Sequence, residues 1–131
     1  MRAGIRAGIG FLAAVQIVVG IWALFFPIRF FAFAVVGMGM AYNEHLMRDY
    51  GAMTLAGAVV LGVAAVHGGR WAVRTALVMY LTWSVPHFLV HWTMLDHLAP
   101  ATGALLMVAL AGAVALPAAL LLLSIRTDRA G

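Results

Sequence analysis

The sequence predicts an all-helical bundle of four membrane-spanning helices, from three observations. Hydrophobic residues fill 66% of the 131 positions and charged residues 9%, against about 45–50% and about 25% in a soluble domain. A domain this small buries only about two-thirds of its surface, so the apolar excess must face lipid. Four apolar stretches of roughly 20 residues, the length that crosses a hydrocarbon core, recur along the chain, and none alternates with the period of two that marks strands. Residues 1–131 read as a single integral membrane domain. The same composition excludes disorder, coiled coil, collagen and a soluble enzyme core.

The first span is expected over about residues 9–26, ended by Pro27, which cannot continue a helix. Arg2, Arg6 and the apolar run after them imitate a signal peptide, with Ala32-Phe33-Ala34 as a cleavage-like site. The run is about 18 residues, longer than a usual signal core, and Pro27 and Arg29 intervene, so a retained helix is expected. Ile28–Met40 is apolar but too short to cross. With the flexible Gly37-Met38-Gly39, it is expected as a short interfacial or re-entrant segment between helices 1 and 2. The second span, about 45–66, closes at Gly68-Gly69. The third, about 71–92, contains Pro86, which leaves the Thr82 carbonyl without its helical donor. The fourth, about 102–124, contains Pro117. Small residues such as Gly4, Gly8, Ala56, Gly57, Ala111 and Gly112 allow close helix packing.

All eight basic residues are arginines, at positions 2, 6, 29, 48, 70, 74, 126 and 129, and with four acidic residues they give a net charge of +4. They form no run or stripe, so no nucleic-acid footprint exists. They report topology instead. Arg2, Arg6, Arg70, Arg74, Arg126 and Arg129 fall on one face of a four-span protein, which places both termini in the cytoplasm of a multi-pass cell-membrane protein. The chain has no cysteine, which excludes disulfides, thiolate metal sites, Fe–S clusters and covalent haem attachment.

The polar residues collect at the opposite ends of helices 2, 3 and 4. Asn43, Glu44, His45, Arg48 and Asp49 open helix 2, His87 and His91 close helix 3, and Asp96 and His97 follow it. Glu44/Arg48, His45/Asp49 and His87/His91 are i,i+4 pairs, each on one helical face. In a metal reading His45, His87 and His91 ligate a divalent Zn, Cu, Fe or Mn ion. Glu44, Asp49, Asp96 and His97 then serve as outer partners or alternative ligands, and Asn43 and Arg48 complete a polar site. In a haem reading His45 and His87 or His91 ligate one b-type haem from two helices. In a third, these groups are interhelical glue and headgroup contacts, since intramembrane charges usually pair with one another. The function classes left open are a small membrane protein binding a metal or polar ligand at its outer face, an accessory subunit of a larger membrane complex, and a haem- or quinone-linked membrane oxidoreductase. The bilayer is the expected partner, with a homo-oligomer or larger complex as further possibilities.

The run from Tyr42 to Gly51 (Tyr-Asn-Glu-His-Leu-Met-Arg-Asp-Tyr-Gly) and the motif Pro86-His87-Phe88-Leu89-Val90-His91, followed by Leu95-Asp96, resemble a group of small four-helix actinobacterial membrane proteins, loosely DoxX-like. The resemblance covers most of the chain and implies the four-helix fold, but it implies no activity. Members often carry a further histidine where this sequence has Met94, and their first outer loop is longer and more polar than Ile28–Met40.

Overall fold

The computed structural model describes residues 3–129, with side chains through Arg126. Arg2, the Arg129 side chain and Gly131 lie outside the described residues. Among those residues all regular structure is helical, in six α-helices and one 3-10 turn. Helix α1 (Ala3–Phe25) begins earlier than Ile9, because a helix need not stop where its apolar stretch does. Pro27 opens α2 (Pro27–Phe31) at the first helical position, where its missing N–H costs nothing. A four-residue turn, α3 (Ala34–Gly37), ends on Met38 in the left-handed region at φ 49°, followed by Gly39 at φ 72°. The segment expected to lie at the interface is thus two short helices, α2 and α3.

Helix α4 (Glu44–His67) starts where the Asn43 side chain accepts a hydrogen bond from the Leu46 N–H at 3.0 Å. It ends at Gly68, whose left-handed φ of 68° lets its N–H donate to the Ala64 carbonyl. Helix α5 (Arg70–Trp92) runs unbroken through Pro86. A 3-10 turn (Leu95–His97) leads to α6 (Pro100–Arg129), which opens on a proline and extends past the expected Ser124.

Among the described residues three helices are long and apolar enough to cross a membrane: Ala3–Phe25, Glu44–His67 and residues Pro100–Arg126 of α6. Helix α5 has the length but is less apolar, because Arg70, Arg74 and its tryptophans, histidines and hydroxyl residues dilute its aliphatic content.

The four long helices form a ring in the order α1–α4–α5–α6, with α6 returning to α1. Each neighbouring pair is antiparallel. Gly20 of α1 meets Gly51 of α4, Gly57 faces Met79 of α5, Arg74 reaches the Ser124 carbonyl of α6 at 3.2 Å, and Gly8 faces Leu120. The closest approach is at Gly20–Gly51. A side chain on Gly51 would put its Cβ 2.5 Å from the Leu24 backbone nitrogen, which explains the glycine there. Two ends result, one bearing Arg6, Arg70, Arg74 and Arg126, the other bearing the histidine motifs.

The main buried cluster lies in the arginine-bearing half. Ile5, Ile9, Leu12, Leu61, Ala64, Val73, Leu77 and Leu120 form one buried cluster there. Outward, the ring exposes large apolar side chains, among them Leu105 at 72% and Val108 at 71%. An apolar surface on that scale is disfavoured in water and suited to lipid.

Candidate functional site

The structure divides the polar residues at the histidine-bearing end into two sets. The first belongs to α4 and is occupied with local structure. Asn43 caps the helix. Arg48 bonds the Glu44 carboxylate through Nε and Nη2, both at 2.8 Å, and its Nη1 donates to the Leu24 carbonyl at 2.6 Å. That carbonyl lies in the last turn of α1, where acceptors lack helical donors. The guanidinium therefore clamps α1 to α4. His45 and Asp49 pair at 3.2 Å on the open surface, with side chains 88% and 61% exposed.

The second set belongs to α5. Val73, Ala76, Leu77, Tyr80 and Ser84 form its buried stripe, and His87 and His91 continue that stripe at helical spacing. Both imidazoles line an internal cavity of about 340 Å³. Their rings meet edge to face with centroids 4.5 Å apart, and His87 stacks on Trp83 at 4.7 Å and 20°. Trp83 in turn contacts Tyr50 and Tyr80. Gln16 of α1 is buried and lines the cavity together with Tyr80. Phe30, Val35 and Val36, from α2 and α3, close the cavity over its outer side. The segment between the first two long helices is therefore a wall of the site.

A second cavity, of about 400 Å³, adjoins the first and shares Gln16, Tyr50, Tyr80 and Trp83 with it. It lies between α4 and α5, beside Met53, Gly57 and Met79. Every side chain lining either cavity is apolar, aromatic or a neutral hydrogen-bonding group, with no arginine or carboxylate among them. The buried His91 Nδ1 has no hydrogen-bond partner among the described residues.

The structure does not bring the expected metal ligands together. Among the described residues no group of three or more His, Asp or Glu side chains could hold a metal ion. His45 points to the surface beside Asp49 and does not line the cavity with His87 and His91. Asp96 is exposed in the 3-10 turn, and His97 packs against Gly39. Two imidazoles are fewer than the three protein donors that catalytic zinc sites use. His45 and the α5 histidines, the pair expected for a haem, are likewise not brought together. Tyr80, Tyr50, Trp83 and Gln16 were missed as site residues. Tyr80 has a sequence signal in helical phase: positions 80, 84, 87 and 91 share one face of α5, which extends the histidine motif inward.

Comparison with protein-family models, with curated proteins and with solved structures finds no match for this chain.

Proposed function

We propose that this is a four-span integral membrane protein, with both termini cytoplasmic, that holds an uncharged, lipid-soluble ligand in the outer half of its bundle. Helix α5 joins the three more apolar helices as the fourth span, because it closes the ring between α4 and α6. The observation that carries the ligand reading is the cavity lining: aromatic planes and neutral hydrogen-bonding groups with no formal charge. Its volume of about 340 Å³ lies at the lower end of the usual range for small-molecule sites. A phosphate or carboxylate headgroup would need a cation the cavity lacks, and burying an unpaired charge is costly. His87 and His91 are the polar anchor, and Trp83, Tyr50 and Phe30 supply the apolar walls. The DoxX-like resemblance is compatible with this bundle and adds no chemistry to it.

The test is extraction of detergent-purified protein, with mass spectrometry of the organic phase. Wild type should carry an uncharged compound at close to one per chain, and Ala113→Phe, which fills the cavity from α6, should lose it. Equal amounts in both proteins, or none above an empty-micelle blank, would overturn the reading.

A second reading, an accessory subunit of a larger membrane complex, has one observation in its favour. Only 11% of the apolar window of α6 is buried, against 33% in α1 and in α4. A larger particle in mild detergent, reduced to a monomer by Leu105→Arg, would support it.

A further inference from the structure

An open groove of about 460 Å³ runs along the outside of α4 beside α1 and shares no residue with the two cavities. Its α4 side is a helical row from Leu55 to His67, and Ile17 bounds it from α1. The row dips at Gly62, where an added Cβ would meet nothing within 4 Å. Val59 and Val66 stand on either side of the dip at 65% and 66% exposure. Gly10, seven positions before Ile17 and so on the same face of α1, is open in the same way.

The length of this groove is informative. From Leu55 to His67 is about 18 Å along the helix axis, and one leaflet's half of the hydrocarbon core is about 15 Å. That fits a single acyl chain reaching from its headgroup to the middle of the bilayer. A chain laid between two helices touches protein on more sides than one lying on a convex helix. Such packing contacts are what hold apolar groups together in lipid.

The groove ends at His67, in the arginine-bearing half. Trp71 is 71% exposed there, with the Arg70 guanidinium 5.7 Å from its ring centroid, which marks the level of the membrane interface. Arg6 lies three turns before Ile17 and shares the face of α1 that borders the groove. Because α1 and α4 are antiparallel and level at Gly20 and Gly51, Arg6 stands at the height of the last turn of α4. Its side chain is exposed and enters no hydrogen bond or ion pair among the described residues. Three of the four acidic residues, Glu44, Asp49 and Asp96, are at the opposite end. An apolar strip one leaflet long, ending at an uncompensated cation, is complementary to an acyl chain joined to an anion.

We propose that this groove holds one anionic glycerophospholipid from the leaflet at the arginine-bearing end. One acyl chain lies along α4 from His67 to Leu55, and the phosphate takes the Arg6 guanidinium, with the His67 imidazole as a further donor. The inference stands whichever way the bundle faces and whatever the histidine cavity holds.

The test uses detergent-purified full-length protein, stripped of lipid and titrated with dipalmitoyl phosphatidylglycerol or dipalmitoyl phosphatidylcholine. Native mass spectrometry counts bound lipid per chain, and melting temperatures without lipid show whether each variant is folded. Wild type should bind one phosphatidylglycerol about 5-fold more tightly than phosphatidylcholine, the attraction of one arginine for an anionic lipid. Arg6→Gln should lose that preference. Gly62→Leu, whose side chain enters the groove, should lose both lipids, whereas Gly112→Leu, equally open but on α6, should lose neither. If Gly62→Leu does not fold, Gly10→Leu blocks the groove from α1. Equal affinity of wild type for the two lipids, or wild-type binding by the groove-filling variant, would overturn the proposal. Competition by glycerol phosphate without chains would also overturn it, leaving a phosphate site with no use for the groove. So would a two-chain particle that Gly62→Leu reduces to a monomer, which would make the groove an interface between copies.

Discussion

Arg48 shows how one side chain can look like part of a site and serve as a joint. Its two bonds to Glu44 form a half-exposed ion pair of the kind worth about 0–1 kcal/mol. Its bond to the Leu24 carbonyl at 2.6 Å satisfies a terminal acceptor of α1 with a charged donor. Arg48→Ala is expected to destabilise the protein by about 1 kcal/mol or more. Asp49→Asn, which alters only the open pair with His45, should shift it by less than about half of that. Melting temperatures of the two variants in one detergent give the comparison, and equal shifts would show that the clamp carries no extra weight. Motif spacing revealed Glu44 and Arg48 as partners. It could not reveal Leu24, because a backbone carbonyl has no signature in sequence.

At the scale of elements, the contact between α1 and α4 depends on two glycines. A Cβ on Gly51 would meet the Leu24 nitrogen at 2.5 Å and the Gly20 carbonyl oxygen at 2.9 Å, backbone atoms with no freedom to swing away. Gly10, on α1, has nothing within 4 Å of the same added atom. Gly51→Ala should therefore cost about 1–3 kcal/mol as the helices are forced apart. Gly10→Ala should be neutral or stabilising by up to about 1 kcal/mol, since alanine is the better helix residue. Thermal unfolding of the pair checks both signs. The helices themselves were legible in the sequence, from length, apolar content and the stops at Pro27 and Gly68-Gly69. The apposition of Gly20 and Gly51 was not, because neither belongs to a spaced small-residue motif and their meeting depends on how α1 and α4 cross. The segment after Pro27 was legible as too short to span. Its role as a wall over His87 and His91 comes from Phe30, Val35 and Val36, whose apolar character reads equally well as lipid contact.

For the whole molecule, the arginines and the main buried cluster agree on a polarity. Arg6, Arg70, Arg74 and Arg126 mark one end, the packed cluster lies beneath it, and the cavity beside His87 and His91 lies nearer the other. The positive-inside rule is the basis for proposing that the arginine-bearing end faces the cytoplasm. Reporter fusions after Gly69 and after Gly131 are expected to score cytoplasmic, and one inserted at Gly39 to score external. An external score at Gly69 would invert the protein and turn the cavity mouth toward the cytosol.

The position of the main packed cluster has a consequence for traffic. Ile9, Leu61 and Leu77 are fully buried where the four helices meet, and side chains packed to the density of a protein interior leave no passage for a molecule of any size. On the reading proposed above, the bundle is a blind alley: a guest entering from one leaflet would have to back out into the same leaflet. On that reading a protein built this way would store or hand over its guest rather than ferry it across.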